Sequence, residues 1–475
     1  MNLYFLYLCF IYVRVANSGQ LAGVIFSIRC LHTHLQTEGF RPKTNDEDSL
    51  YLSAGKMFRN LNKFRKLLLI GIFISTIGYF FYIKLELSLN YNFLELTDKR
   101  IEKLCNCTKI LKKDQEEIAN AKLNLITKSF RNRSTISDKH YIEWTKDCEK
   151  FRVMRKYLTF PLSHEEEVFP IAYSIVIHQK IHSFERMLRS IYSPQNFYCI
   201  HVDQKSMPSF QTAVKGIAAC FDNVIVSSKQ ERVVYASWSR VQADINCMED
   251  LYNLNSNWKY FINLCGQDFP IKTNLEIVRK LKVLNGKNNL ETEQMPTYKK
   301  VRWEKVHKIV NNNIQRTKEN KEAPPVNTPI FAGGAYIVVC RDFVRYVLQD
   351  PAAHQLIKWS KDTYSPDEHL WATLQRQPGA PGSVPISNRY DVTDVNSISR
   401  LVKWLYFEGQ ESKGAMYPPC EGHHVRTVCV YGVGDLKWIL QQPHLFANKF
   451  DSDADYFVLY CLESYLRHKA LAEMD

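Results

Sequence analysis

The segment Tyr364-Ser365-Pro366-Asp367-Glu368-His369-Leu370-Trp371 sets two adjacent carboxylates behind a Ser-Pro pair. This order predicts Ser365 as an N-cap, Pro366 at the first helical position and both acids in the first turn. Acids there meet the positive end of the helix dipole, which accounts for them structurally. A carboxylate held by such a cap beside Trp371 is also placed to act as a general base. Two cations sit in apolar company further on, Arg426 between Cys420 and Cys429, and Lys449 in Phe446-Ala447-Asn448-Lys449-Phe450. Either a structural salt bridge or a bound diphosphate would satisfy them. Glu291-Thr292-Glu293, followed by Lys299, Lys300, Arg302 and Trp303, reads as a sugar-binding cluster or as a solvated loop. Trp404 and Tyr406 pose the same choice between ligand platform and core.

Other polar residues fall at the ends of apolar runs. His178 follows Ile171 to Ile177, and Asp203 follows Ile200-His201-Val202, where a carboxylate can accept from a base or ribose, or simply cap the next turn. Asp451-Ser452-Asp453-Ala454-Asp455 looks like a doubled DxD, a pattern able to hold a divalent metal. It directly precedes the last predicted helix, Tyr456 to Ala470, which is where caps belong. The sequence contains no Walker or GxGxxG phosphate loop.

These residues need a scaffold, and the texture after Phe169 supplies one. Short β-type runs at Ile171 to Ile177, Phe197 to Val202, Val224 to Ser227, Tyr260 to Leu264 and Ala335 to Val339 alternate with helical segments such as Phe184 to Tyr192 and Leu275 to Leu284. That alternation predicts an α/β fold with a mainly parallel sheet and ligand sites at the C-terminal strand ends. Of the 475 residues, 45% are hydrophobic and 13% aromatic, enough for one large core or two smaller ones. The net charge of +13 comes from scattered Lys and Arg, without a basic arm or zinc-finger spacing, so nucleic acid is not expected as a partner. Anionic ligands such as nucleotide sugars or acidic glycans fit better.

Leu67 to Ile83 is an almost unbroken apolar run of about 17 residues, the lower limit for a spanning helix, preceded by Lys63, Arg65 and Lys66. Positive residues stay cytoplasmic, so the C-terminal remainder is expected in an oxidising lumen on a single-pass type II anchor. The shorter run Leu3 to Val13, followed by Val15-Ala16-Asn17-Ser18, resembles a cleaved signal without its basic leader, and would instead leave the remainder in the cytosol. Thirteen cysteines and the sequons at Asn106 and Asn132 favour the lumen, with Met57 as the natural start. The expected division is 1–56 as an extension of doubtful status, 57–66 as a short basic tail, 67–83 as anchor, 84–167 as a helical lumenal stem and 168–475 as the main domain.

Phe169 to Ser174, Val234 to Asp244, Tyr364 to Arg376 and Phe446 to Phe450 together closely resemble the core 2 β-1,6-N-acetylglucosaminyltransferases of glycosyltransferase family 14, from about Asn106 to the C-terminus. Tyr406-Phe407-Glu408-Gly409 and Leu466 to Leu471 resemble the leukocyte type more than the mucin type. The resemblance implies a GT-A-like catalytic domain, UDP-N-acetylglucosamine as donor and the Galβ1-3GalNAc core of O-glycosylated glycoproteins as acceptor. It also implies the Golgi membrane as location and catalysis without cofactor or divalent metal. Glu368 falls on the family's catalytic base. Val176, Ile177, His178, Asp203, Gln204, Lys205, Tyr235, Arg426 and Lys449 fall on donor-binding positions, the last two on its diphosphate-binding cations. Glu291, Lys299, Arg302 and Tyr406 fall on acceptor positions, with Trp404 added as a neighbour. The family's disulfides imply Cys107–Cys461, Cys148–Cys220, Cys199–Cys247 and Cys420–Cys429, leaving Cys265 free. Cys105 and Cys340 are additional, and Phe331-Ala332-Gly333-Gly334 has Ala and Gly where the family tends to carry hydroxyls. Core 4 or I-type branching, and a glycan-binding protein without catalysis, are the alternative readings. A homo-oligomer is compatible with all of them.

Overall fold

The computed structural model describes residues 8–14, 25–31, most of 63–79, 96, 98–127, 136–384 and 397–474. The expected start at Met57 and the sequon at Asn132 lie outside them, as does most of the 1–56 extension. The chain divides into two compact units, residues 1–84 and 85–475. In the first, Leu8–Arg14 and Ile25–Leu31 pair antiparallel. Residues 67–79 include helical positions whose described apolar side chains are exposed, Leu67 and Phe73 by about two thirds. Among the described residues no helix is long and apolar enough to cross a membrane.

After a short helix, Lys99–Glu102, the second unit continues with α1 (Cys107–Leu111), α2 (Gln115–Ile126), α3 (Asp138–Trp144) and α4 (Cys148–Met154). Asn106, Asp114 and Asp147 cap three of these helices through side-chain bonds to backbone N–H groups. The stem segment is no loose tether. Ile110, Ile118, Ala121, Tyr141 and Phe151 are buried in the same core as the sheet that follows, and Cys107–Cys461 crosslinks the segment to the last helix.

That sheet is built from β1 (Ile171–Ile177), α5 (Ile181–Ile191), β2 (Phe197–Val202), α6 (Pro208–Ala219), β3 (Val224–Val226), α7 (Trp238–Leu254) and β4 (Tyr260–Cys265). The chain continues through α8 (Asn274–Val283), β5 (Asn289–Leu290), the ribbon β6 (Lys305–Val310) and β7 (Asn313–Asn320), β8 (Ile337–Cys340), α9 (Arg341–Gln349), α10 (Pro351–Ser360) and α11 (Leu370–Gln375). The hairpin β9 (His423–Val425) and β10 (Val428–Val430), then β11 (Phe446–Asn448) and α12 (Tyr456–Ala472), complete it. Six strands run in the order β3-β2-β1-β4-β8-β5. The first four are parallel, while β8 is antiparallel to β4.

The expected parallel-rich α/β architecture is present because β1 is apolar but for Ser174, which bonds Asp244, and is buried at every position. On α5, Phe184, Leu188 and Ile191 line one buried face, and α8 starts on the Thr273/Glu276 capping box. The four disulfides join Cys107–Cys461, Cys148–Cys220, Cys199–Cys247 and Cys420–Cys429. Cys105, Cys265 and Cys340 are free thiols.

Candidate active site

Parallel strands deliver their C-terminal ends to one edge of the sheet. At the end of β1, Val176 and Ile177 are buried while His178 emerges into solvent. Asp203, just past β2, is 6% exposed, and its backbone N–H donates to Ile177 O at 2.9 Å. Its carboxylate accepts from Lys205 N at 2.8 Å. Lys205 reaches over to Val233 O, and Gln204 Nε2 donates to Gln230 O at 2.6 Å. The three residues after β2 are thereby tied to the segment carrying Tyr235, whose ring is 68% exposed.

Arg426 lies above that ring, its guanidinium carbon 4.5 Å from the centroid. It occupies the turn of the β9–β10 hairpin, where Arg426 and Thr427 are both left-handed (φ 52° and 63°), a tight connection closed by Cys420–Cys429. Lys449 follows β11, its backbone N–H donating to Cys429 O and its carbonyl accepting from Tyr431 N. Burial and then the nearby Arg426 push the Lys449 ammonium below its ordinary range, against the pull of Cys265. Neither cation has a carboxylate partner among the described residues.

Glu368 belongs to the same locality. Ser365 N donates to Ala236 O at 2.8 Å, so the acidic segment is bonded to the residue following Tyr235. This contact also explains a correction. Ser365 holds the cap position, Pro366 follows it and both acids lie in the first turn, as expected, but Ser365 is left-handed (φ 45°), makes no side-chain cap bond, and the turn is a short 3-10 one, Pro366–Glu368, with α11 beginning only at Leu370. Pulling Ser365 back onto Ala236 turns the chain before a helix can start. Glu368 is about one third exposed and pairs with Arg302. Trp371 is wholly buried in the core.

Asp367 turns toward Arg240, which bonds Asp244 at 2.6 Å. Burial first and then the neighbouring Glu368 push the Asp367 carboxyl up to about 6, with Arg240 opposing. His369 is buried and driven down to about 3 by burial and by Arg302, which keeps the imidazole neutral beside the acid.

On the opposite wall, Lys299 pairs with Glu293 at 3.2 Å. Glu291 is held close to α11 through Gly333: a Cβ there would meet Glu291 O at 2.5 Å and Ala372 Cβ at 2.8 Å. The Gly of Phe331-Ala332-Gly333-Gly334 is therefore a packing requirement. Trp404 and Tyr406 stack at 5.6 Å with a 19° interplanar angle, and Tyr406 is 63% exposed. They are neighbours of the Arg426 hairpin, since Leu405 N donates to Thr427 O.

The acidic repeat does not stand open for a metal. Asp451 and Asp453 both pair with Lys180, and Asp455 caps α12 by accepting from Val458 N. A cavity of about 1060 Å³ lies elsewhere, between residues 98–104, α5 and α12. Sequence reasoning missed two couplings, Tyr235 beneath Arg426 and Arg302 on Glu368. The second joins residues 66 apart in the chain, which no spacing rule marks.

The Core-2/I-Branching enzyme family matches residues 171–440. The chain is 58% identical over 378 residues to the beta-1,3-galactosyl-O-glycosyl-glycoprotein beta-1,6-N-acetylglucosaminyltransferase of Homo sapiens, covering 80% of this chain and 88% of that protein. The Bos taurus protein of the same name is 58% identical over 382 residues, with 80% and 89% covered. The Homo sapiens protein whose name carries the suffix 3 is 55% identical over 381 residues, with 80% and 86% covered.

Proposed function

Because the chain belongs to the Core-2/I-Branching enzyme family, we propose that it transfers GlcNAc from UDP-GlcNAc, with inversion, to the C6 hydroxyl of GalNAc in Galβ1-3GalNAc on glycoproteins. Glu368 accepts the hydroxyl proton as that oxygen attacks C1 of the donor sugar, and Arg302 orients the carboxylate. Attack from the face opposite the leaving group inverts the centre and expels UDP.

Val176, Ile177, His178, Asp203, Gln204, Lys205 and Tyr235 form the nucleotide side. Glu291, Lys299, Arg302, Trp404 and Tyr406 form the acceptor side. Arg426 and Lys449 neutralise the charge developing on the diphosphate, the work a divalent ion performs elsewhere. The observation that carries this reading is Arg426, without a carboxylate partner among the described residues, lying on the ring of Tyr235, whose neighbour Ala236 is hydrogen-bonded to Ser365 three residues before Glu368.

The domain is read as GT-A-like, held at the Golgi membrane by the apolar run at 67–83, with 84–167 as its stem and 168–475 as the catalytic domain. The exposed apolar side chains of 67–79 support an anchor, since they demand cover that water does not give. The test is transfer to Galβ1-3GalNAc, GlcNAcβ1-3GalNAc and poly-lactosamine acceptors in excess chelator, with the linkage analysed. A β-1,6 branch on the first acceptor is expected. Loss of activity on chelation, or preference for another acceptor, would reject the corresponding part.

A further inference from the structure

One element near the acceptor wall has no place in the chemistry above. The ribbon β6–β7 pairs with no other strand among the described residues. Its turn places Asn311 and Asn312 at φ 51° and 59°, the left-handed pair of a tight hairpin. Each strand therefore keeps an outer row of backbone N–H and C=O groups unpaired by another strand.

The base of the ribbon is fixed to the site. His307 N donates to Asp362 O at 2.8 Å, Lys321 pairs with the Asp362 carboxylate, and the His307 ring lies 5.9 Å from that of Tyr364. Tyr364 N in turn donates to the carbonyl of Arg302, the partner of Glu368. Opposed residues are His307 with Arg316 and Ile309 with Ile314. The face that is buried at His307 thus continues outward as Ile309, Ile314 and Arg316, with Ile309 53% exposed.

The charge is one-sided. Between residues 305 and 321 stand Lys305, Lys308, Arg316, Lys318 and Lys321 against Glu319 alone. Lys308 uses that glutamate, and Arg316 and Lys318 have no carboxylate partner among the described residues. Lysines on an edge also deter self-association, and that alone would account for them on a ribbon remote from substrate. Here the ribbon is bonded to the acceptor wall, and it combines apolar contact, open backbone and positive charge.

We infer that β6–β7 is a second contact surface for the acceptor, which holds an extended, carboxylate-bearing stretch of polypeptide next to the glycan entering the site. The inference rests on the transferase reading above. Main-chain pairing along a ribbon edge supplies sequence-tolerant affinity, and the charge of Arg316 and Lys318 selects acidic flanks.

The full chain in detergent is assayed on two acceptors, the free Galβ1-3GalNAc glycoside and the same disaccharide on a peptide flanked by Asp and Glu. The double substitution Arg316→Glu and Lys318→Glu is expected to raise KM for the glycopeptide roughly 10-fold. KM and kcat for the glycoside and the thermal midpoint should be unchanged. Raising salt to about 0.3 M should erase most of the glycopeptide advantage of the unaltered chain. An unmoved glycopeptide KM, or equal losses on both acceptors, overturns the inference. So does an effect that appears only with vesicles of anionic lipid, which would assign the ribbon to a membrane surface. Failure of the unaltered chain to use the free glycoside would instead overturn the transferase reading.

Discussion

Two clusters of charge in this molecule are built on opposite rules. Behind the sheet, Arg155 bonds Glu185 at 2.5 Å, Arg189 bonds Glu463 at 2.5 Å, and Arg186 bonds Glu463 at 2.8 Å, with every side chain at most 14% exposed. These five residues join the stem, α5 and α12. Burial alone would raise the Glu185 carboxyl, but Arg155 and Arg189 overcome it and hold it down at about 2. At the front, Arg426 and Lys449 make no ion pair with a carboxylate among the described residues, and Arg426 lies on the ring of Tyr235. The contrast separates the two uses of charge. A buried ion is tolerated when its partner is supplied by the fold, whereas a cation left open by the fold is free for a ligand to complete. Charge that is neutralised holds the protein together, and charge that is left uncompensated is available for chemistry.

The sharpest way to test that contrast is to cut each cluster and read both activity and stability. Glu368→Gln should lower kcat by about 10³ to 10⁴ with an unchanged thermal midpoint, as measured by UDP release. A stability loss of the same size would place Glu368 among structural charges. Glu463→Gln leaves two buried guanidinium groups short of a partner, and should cost about 3 to 5 kcal/mol in denaturant unfolding. Its activity per folded molecule should persist at low temperature. Arg426→Ala should lower kcat/KM about 10²-fold, mainly through departure of the nucleotide, while hardly moving the midpoint. A large midpoint shift there would contradict its description as an open charge.

The smallest effect concerns pH, with one histidine in each region, His182 partly buried and His369 buried. His182, bonded to Tyr141 Oη at 3.0 Å, is pushed down to about 3 by burial first and then by Arg186. His369 is likewise held at about 3. Both have folded values below the unfolded one, so their stabilisation is present above about 6.5 and is lost as pH falls through the range down to about 3. At pH 5 that loss is about 2 kcal/mol per histidine. Asp367 and Asp455, pushed up mainly by burial to about 6, act in the opposite sense. Their contribution is full below about 4 and lost as pH rises through 6. The two kinds of group oppose each other over this range, so the readout is a difference: His182→Phe should lose less stability between pH 7 and pH 5 than the parent. Parallel curves for the two proteins would show that His182 is not neutral in the fold.

Much of this was legible in the chain because local rules act locally. The continuous apolar run at 171–177 is a buried parallel strand, the Thr273/Glu276 pair is a helix start, and the Asp before Tyr456 is a cap. At Ser365 local reasoning placed the cap, the proline and the two acids, but not the missing side-chain cap bond or the left-handed backbone of a residue whose N–H is bonded to distant Ala236 O. The stem likewise reads as a polar spacer, since its few apolar residues become informative only when they meet the core.

Sequence by itself determined the strands, the caps and the chemical types at the site, because burial pattern and turn chemistry depend on neighbours a few positions away. It also held, through resemblance, the four cysteine pairs that the fold then brings within bonding distance. Only the tertiary structure decided which charges would be spent on each other. Lys180 with Asp451, Arg240 with Asp244 and Arg302 with Glu368 are paired, while Arg426 and Lys449 have no carboxylate partner among the described residues. The reason is physical: electrostatic pairing depends on separation and solvent exposure in three dimensions, and neither is a property of position along the chain.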